Sequence, residues 1–337
     1  MARFKHPVLR SLRGIAVAGF VIGAAPPDTD RGHLTKPGQA DLPLTDVVPH
    51  IGFPTEIGSQ RIDPDRHARP TIEVRVAGRG PYRFLVDTGA QATVVGRDLA
   101  SQLSLPHAGR AMLVATGSRR MVDLVAVDGL AFAERELNLA AIPVLDSQHL
   151  GADGILGLDT LQGLRVLIDF AQRRITVADP DVERISGRYE IVVRARKRLG
   201  QMIIADATVD GIRTAVVIDT GADISIGNEV LQRRLRAKQQ ASTTGTDVHG
   251  TTFAADMRLA NQIVIGTMTI DKVPIGFTQS PAFKALDLTN RPALILGMST
   301  LRSLDRLAID FASRRVMFDL PRPVASGRTG WSAPRSY

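Results

Sequence analysis

Two aspartates lie in nearly identical surroundings 132 residues apart. Residues 84–90 read FLVDTGA and residues 216–222 read VVIDTGA, which places Asp87 and Asp219 directly after apolar runs. A carboxylate at the end of a buried strand is costly unless hydrogen bonds are supplied to it. The glycine in each motif permits a tight turn that points amides at the carboxylate, and the threonine hydroxyl can brace the loop.

The chemistry open to such a pair depends on whether the two copies meet. If the copies pack about a twofold axis, Asp87 and Asp219 lie side by side and share one proton, because two adjacent carboxylates cannot both ionise cheaply. The ionised member can then take a proton from water while the protonated member donates to a carbonyl oxygen. This pattern favours peptide hydrolysis without a covalent intermediate or a metal ion.

Two further blocks repeat in the same order. Ile155-Leu156-Gly157 recurs as Ile295-Leu296-Gly297 at an offset of 140, and an Ile-Asp-Phe-Ala block with a following Arg pair recurs at an offset of 141. The offset grows from 132 after the first block, so the second copy is longer, mainly in its middle. A fixed order of repeated blocks indicates a duplicated structural unit.

The elements around the motifs follow the same order in each copy. The pattern predicts two mainly β lobes, 69–182 and 186–320. Each lobe begins with a strand, carries a short helix after its Asp motif and then forms a β-hairpin. The predicted strands, helices and hairpin tips are 71–76 and 202–209, 97–103 and 229–235, and 116–117 and 249–250.

Composition removes several other function classes. The chain has no cysteine, and its 7 histidines are scattered without a His-Glu-x-x-His spacing, so we predict neither a metal nor a cofactor. The net charge of +8 invites a nucleic-acid interpretation, but the arginines are dispersed, aromatic residues make up only 4% and no phosphate-binding loop is present. Solvated surface arginines are the preferred interpretation, and no nucleic-acid partner is predicted.

The N-terminal segment 1–25 is typical of a signal peptide or membrane anchor. Basic residues including Arg10 and Arg13 precede a 12-residue small and apolar run, which is too short for a comfortable membrane span. Export to the periplasm or beyond is predicted, with cleavage or retention at the membrane left open. Segment 26–68 is Pro-rich and reads as a tether in preference to an inhibitory pro-segment, and 321–337 reads as a basic tail.

The combined motifs resemble the retropepsin-like aspartic proteases. The resemblance rests on both Asp-Thr-Gly-Ala segments with Thr93 and Ser225 downstream, and on both Ile-Leu-Gly segments; the tandem arrangement behind an export signal is similar to bacterial periplasmic members. It covers about residues 69–320. It implies an all-β fold of two retropepsin-like acid-protease lobes related by a pseudo-twofold axis, in the bilobal arrangement of pepsin.

The resemblance also implies roles for the repeated residues. Asp87 and Asp219 would be catalytic, the Ile-Leu-Gly segments would pack beneath their loops, and hairpin flaps would close over a peptide or protein substrate. The residues implied to support the pair or to mark the flaps are Thr88, Gly89, Thr220, Gly221, Gly117 and Gly250. Because one chain holds both motifs, an active monomer is expected.

Two alternatives stay open at this point. The duplicated fold could present its cleft to an envelope protein or ligand without cleaving it, or each repeat could pair with its counterpart in a second chain. Ala90 and Ala222 stand where pepsin-like enzymes often have a hydroxyl residue, which removes a donor to the carboxylate pair. We therefore predict an activity optimum at mildly acidic or neutral pH.

Other polar residues receive structural interpretations. Asp169 and Asp310 are expected to bond to nearby backbone or arginine at strand ends, and Asp153 is expected to serve a turn. Asp223 could contact substrate backbone or an arginine, or simply lie at the surface. His249 is expected to be a solvated loop residue near a flap tip.

Overall fold

The structure is a computed structural model that describes residues 2–5, 15–16, 59–61, 69–179, 189–198, 201–236 and 239–321. These residues form mainly β-strands with a few short helices. The strands are β1 (Ala2–Lys5), β2 (Ile15–Ala16), β3 (Ser59–Arg61), β4 (Thr71–Val76), β5 (Arg79–Val86), β6 (Val94–Gly96), β7 (His107–Val114), β8 (Arg119–Phe132), β9 (Arg135–Leu145), β10 (Gly154–Leu156), β11 (Arg165–Asp169), β12 (Arg174–Ala178), β13 (Ile191–Arg194), β14 (Arg196–Arg198), β15 (Gln201–Val209), β16 (Ile212–Ile218), β17 (Ser225–Gly227), β18 (Gln239–Thr246), β19 (Thr252–Ile265), β20 (Met268–Phe277), β21 (Ala293–Leu296), β22 (Arg306–Asp310) and β23 (Arg315–Asp319). The helices are α1 (Arg97–Gln102), α2 (Ser147–Leu150), α3 (Leu158–Leu161), α4 (Glu229–Arg234), α5 (Pro281–Ala285) and α6 (Met298–Leu301).

The N-terminal lobe is a closed six-strand barrel. Its strands pair in the order β4-β5-β10-β6-β9-β8, and β8 pairs back onto β4 to close the ring. Strand β4 shows why the barrel forms, because Ile72, Val74 and Val76 are buried while the residues between them are exposed. This period-2 alternation is what a sheet with one buried face requires. Strand β7 lies outside the ring and forms a hairpin with β8.

The C-terminal lobe repeats this barrel strand for strand. Its order is β15-β16-β21-β17-β20-β19, closed by the pairing of β19 with β15, and β18 forms the external hairpin with β19. In both lobes the strand that leads into the Asp motif pairs in parallel with the strand of the Ile-Leu-Gly segment: Leu85 faces Ile155 and Val217 faces Ile295. The fold predicted from the sequence, all-β with two similar lobes, is confirmed.

A separate six-stranded sheet joins the lobes. Its order is β13-β23-β22-β11-β12-β3, and the pairing of β11 with β22 crosses from one lobe to the other. Val166 lies opposite Ile309 in this pairing, and both are at most 1% exposed. Arg165 and Asp310 also lie opposite each other and form an ion pair with an N–O distance of 2.6 Å. The two repeated Ile-Asp-Phe blocks therefore build the junction between the lobes.

Several sequence predictions fall on residues that are not described. The targeting segment 1–25 is described only at β1 and β2, which pair in parallel with β20 and β18. The linker 26–68 is described only at β3, which pairs with β12, and the tail 321–337 only at its first residue. Across the described parts of the chain, no helix has both the length and the apolar character needed to cross a membrane.

Candidate active site

Asp87 and Asp219 each follow the last residue of a buried barrel strand. They are 1% and 2% exposed. Each carboxylate is held by two amides of its own loop: Asp87 Oδ1 accepts from Gly89 N at 2.8 Å and Ala90 N at 2.9 Å. Asp219 Oδ1 accepts from the equivalent amides at 2.9 Å and 3.0 Å. The tight turn predicted from the glycine therefore supplies hydrogen bonds that compensate for burial.

The two Asp loops lie directly against each other. A Cβ atom added to Gly89 would overlap the carboxyl group of Asp219, and one added to Gly221 would overlap the carboxyl group of Asp87. Each glycine thus gives the opposite aspartate the room it occupies. The carboxyl groups from the two lobes are brought together within a single chain.

Thr88 and Thr220 hold the loops together through an exchange of hydrogen bonds across the lobe boundary. Thr88 N donates to Thr220 Oγ1 at 3.1 Å, and Thr220 N donates to Thr88 Oγ1 at 3.2 Å. Each hydroxyl then donates to a carbonyl of the opposite lobe, Thr88 to Ile218 O at 2.9 Å and Thr220 to Val86 O at 2.6 Å. These buried bonds fix the relative position of the two aspartates.

The Ile-Leu-Gly segments support the loops from behind. Asp87 N donates to Leu156 O at 3.1 Å, and Asp219 N donates to Leu296 O at the same distance. A Cβ at Gly157 would overlap the backbone of Ala92. Gly297 is equally confined, in its case by the backbone of Ile224. The segments therefore pack against their Asp loops without room for a side chain at the glycine.

A hydroxyl downstream of each Asp motif connects the Asp loop to the Ile-Leu-Gly segment behind it. Thr93 Oγ1 accepts from Gly157 N at 3.1 Å, and Ser225 Oγ accepts from Gly297 N at 3.2 Å. In the N-terminal lobe Thr93 also donates to Asp159 Oδ1 at 2.7 Å. Sequence reasoning missed Asp159 because its counterpart in the second copy is Ser299, so comparison of the repeats gives no signal there.

The electrostatics of the pair are unequal. Burial raises the pKa of Asp87 to about 6, although the amides of its own loop and the positive charge of Arg69 oppose the rise. Burial also raises the pKa of Asp219, and the negative charge of Asp87 raises it further, well above its ordinary value. Asp87 therefore ionises first, and Asp219 keeps its proton when Asp87 is charged.

The tips of the two hairpins meet each other. The turn after β7 contains Gly117, and the turn after β18 contains Gly250. Ser118 Oγ donates to Asp247 Oδ2 at 2.6 Å, and Gly117 N donates to the same oxygen at 3.3 Å. On the flank of the tips, Arg120 donates to Thr251 Oγ1 at 3.0 Å. We call this set of bonds the tip contact.

The prediction that His249 is a solvated loop residue is wrong. The side chain is 8% exposed, and its Nδ1 lies 2.7 Å from Ser118 Oγ in the tip contact. Burial lowers the pKa of His249. Although Ser, His and Asp meet here, Asp247 Oδ2 accepts from the serine hydroxyl and Oδ1 from backbone amides, so no carboxylate orients the imidazole as a relay would need.

Apolar residues cluster on each side of the dyad. In the N-terminal lobe the buried cluster includes Ala90, Val94 and Ile155, and it receives Val248 from the opposite hairpin tip. In the C-terminal lobe, Phe253 of β19 packs against the matching cluster around Ala222. The repeat predicted the hairpins, but it could not show that one tip is buried in the other lobe.

The remaining carboxylates have structural contacts. Asp169 accepts from Gln172 N at 2.7 Å, as expected at a strand end. Asp310 accepts from Ser313 N at 2.8 Å and pairs with Arg165, which comes from the other lobe and is not a local partner. Asp153 Oδ2 accepts from Arg83 N at 2.8 Å, which ties a turn to β5. Asp223 is partly buried, and its backbone carbonyl accepts from Ser299 N at 2.7 Å.

Sequence reasoning also missed Arg69. Its side chain is 1% exposed and donates to Leu150 O at 2.6 Å and to Gly221 O at 3.4 Å. No signal in the repeat marks it, because the matching position 132 residues later is Gln201. As to metals, no group of three or more histidines or acids in the described ranges is arranged to hold one.

Comparison with known proteins agrees with this arrangement. The family model described as aspartyl protease matches residues 72–160 and 205–300. The matches cover more than half of the chain, and each contains one of the two Asp motifs. The chain therefore belongs to the aspartyl protease family. A search of the curated proteins gave no match.

Proposed function

We propose that the protein is a single-chain aspartic endopeptidase of the retropepsin-like type. The observation that carries this proposal is the interlocked pair of Asp loops, in which each glycine leaves room for the carboxyl group of the opposite lobe. The threonine exchange across the boundary holds this alignment. Two buried carboxyl groups of unequal pKa are what a shared-proton acid and base require.

The roles of the two aspartates follow from their environments. Asp87 is the base and takes a proton from water as the water oxygen attacks the scissile carbonyl carbon. Asp219 is the acid and gives its proton to the carbonyl oxygen, which forms a neutral tetrahedral diol. Asp87 then passes its proton to the leaving nitrogen while a diol hydroxyl returns one to Asp219, and the C–N bond breaks to release a carboxylic acid and an amine. Among the described residues, the amides of the Asp87 loop bond to Oδ1, which leaves the buried Oδ2 available for these proton transfers.

The substrate is a peptide or an unfolded protein segment bound between the dyad and the hairpins. Because the two loops meet within one chain, no second copy is needed to complete the site. This favours an active monomer over pairing between chains.

Cleavage of a denatured protein mixture tests the proposal. The wild-type protein is expected to generate peptides that mass spectrometry identifies, and Asp87→Asn and Asp219→Asn are expected to generate none. Asp169→Asn is the matched control, because its carboxylate serves a strand-end turn and should leave cleavage intact. Equal cleavage by wild type and both dyad variants, or no cleavage by any of them from pH 4 to 8, would reject the mechanism. The second result would favour a binding module.

The proposed site of action is the bacterial envelope. Basic residues ahead of an apolar run of export length support delivery across the inner membrane, with or without retention there. Fusing residues 1–25 to a reporter that is active only after export gives a direct test. An inactive reporter would place the enzyme inside the cell without affecting the chemistry proposed for the dyad.

A further inference from the structure

Arg69 is buried at the boundary between the lobes. It lies just before β4. At 1% exposure it is the most buried arginine among those whose side chains the structure describes. A buried guanidinium is costly and needs acceptors and a negative partner. Its position therefore calls for a role beyond that of the many exposed arginines of this chain.

The contacts of Arg69 connect the two lobes at the dyad. One terminal nitrogen donates to Leu150 O, at the end of α2 in the N-terminal lobe, at 2.6 Å. The other donates to Gly221 O, in the Asp loop of the C-terminal lobe, at 3.4 Å. Gly221 is the residue whose Cα lies against the carboxyl group of Asp87. The guanidinium is thus bonded to the backbone that bounds one side of the dyad.

The arginine is present in only one of the two repeats. The repeat places neutral Gln201 at the position in the C-terminal lobe that matches Arg69, so the cation has no symmetry mate. The positive charge of Arg69 lowers the pKa of Asp87, and a hydrogen bond from the side chain of Asp219 lowers it as well. Burial and, after it, the negative charge of Asp87 raise the pKa of Asp219.

We propose that Arg69 is a positioning residue that makes the dyad unequal, holding the Gly221 backbone against Asp87 and favouring the ionised carboxylate on Asp87. The effect of this inference on catalysis rests on the proposed function, whereas its effect on the ionisation of Asp87 does not. Without the guanidinium, the Asp87 carboxylate loses the cation that stabilises its charge. The pKa values of the two aspartates then become more alike, and Asp87 ionises only at higher pH.

Direct titration of the carboxyl groups tests the proposal without any assay of activity. The full chain is labelled with 13C at aspartate carboxyl carbons, and the dyad signals are assigned with Asp87→Asn and Asp219→Asn. In Arg69→Gln the pKa of Asp87 is expected to rise by about one unit, as loss of a nearby opposite charge requires. In Arg69→Lys, where a single ammonium cannot keep both carbonyl contacts, a smaller rise is expected.

Arg165→Gln is the matched control, because it also removes a largely buried interlobe arginine but one that pairs with Asp310. Its dyad should titrate as in the wild type. An unchanged Asp87 pKa in Arg69→Gln, or an equal change in Arg165→Gln, overturns the proposal. If Arg69→Gln does not fold, the neutral variant Arg69→Met takes its place, and an unchanged Asp87 pKa in that variant overturns the proposal as well.

A second measurement links the charge to catalysis. The acid limb of kcat/KM against pH is expected to move upward in Arg69→Gln by the same amount as the Asp87 pKa. A purely structural role would lower kcat at every pH and leave the limb in place, which would contradict the proposal. If no variant and no wild-type sample cleaves peptide, the titration still tests the charge effect, and the proposed function alone has failed.

Discussion

Ser118 Oγ donates to Asp247 Oδ2 at 2.6 Å, which joins the hairpin tips of the two lobes. The proposed polypeptide substrate, which would bind between the dyad and the hairpins, would have to separate these tips. In Ser118→Ala we therefore expect faster amide exchange at residues 116–118 and 247–251, measured by hydrogen–deuterium exchange with mass spectrometry. Ser303→Ala, which removes a hydroxyl bonded to Thr300 O, should leave the tips unchanged. Equal exchange in Ser118→Ala and wild type would show that this bond does not hold the tips.

The pH dependence of cleavage follows from the order in which the dyad ionises. Because the proposed mechanism uses Asp87 as a base only when it is ionised, and its pKa is raised to about 6, kcat/KM should rise with pH through that region. Activity is then lost at higher pH, when Asp219 gives up its proton. The expected optimum is near neutral, and a profile of the purified protein checks it. An optimum below about pH 3 would contradict both this prediction and the burial argument behind it.

The burial that raises the pKa of Asp87 should also make the free energy of unfolding depend on pH. The folded-state pKa of Asp87 is raised from 3.8 to about 6, so the stability it contributes as a neutral acid is lost as pH rises through that window. Asp87→Asn keeps an oxygen for the two loop amides and removes the charge. We expect the free energy of unfolding at pH 7 to increase by up to about 3 kcal/mol, and no increase at pH 4.

Asp310 offers a control of opposite sign for that measurement. Although burial alone would raise its pKa, hydrogen bonds from Ser313 and Arg165 leave it lowered. Its stabilisation is present at neutral pH and lost as pH falls through the folded-state pKa. Asp310→Asn should therefore destabilise the protein at pH 7 in a denaturant titration. If both variants change stability in the same direction at pH 7, the assignment of the shifts is wrong.

The threonine exchange gives a prediction about the lobe boundary. Thr220→Ala removes the acceptor for Thr88 N and the donor to Val86 O, both buried. Leaving these groups unsatisfied should cost about 1 to 3 kcal/mol of unfolding free energy. Thr220→Ser keeps the hydroxyl and should lose much less, so calorimetry of the two variants separates the hydrogen bonds from the methyl group. Equal losses would assign the effect to packing.

The duplication explains which parts of the site the sequence could predict. Both aspartates, both threonines and both Ile-Leu-Gly segments occur twice in equivalent contexts, so their joint function could be inferred from comparison of the copies. Arg69 and Asp159 occur once, and their partners lie in regions that pattern alone cannot bring together. The burial of His249 depends on contact between two hairpin tips, which is a long-range relationship outside any local pattern.

At the lobe junction, too, the sequence predicts some contacts and misses others. The Ile-Asp-Phe repeats form strands, and Asp169 and Asp310 each accept a backbone hydrogen bond at a strand end, as the sequence predicts. The partner of Asp310 was not foreseen, because Arg165 comes from the other copy of the same block. Matching strands of a duplicated unit can pair with each other only once both copies have folded, and a single copy carries no sign of this.

The pairing of β11 with β22 also restricts how the molecule can move. A continuous antiparallel ladder runs from Arg165 opposite Asp310 to Asp169 opposite Arg306, with apolar residues buried between. Swinging the lobes apart would break this ladder and expose its core at once. The junction therefore holds the lobes in a fixed relative position, so the two hairpins that extend beyond the barrels are the elements expected to move if the proposed polypeptide substrate is to enter.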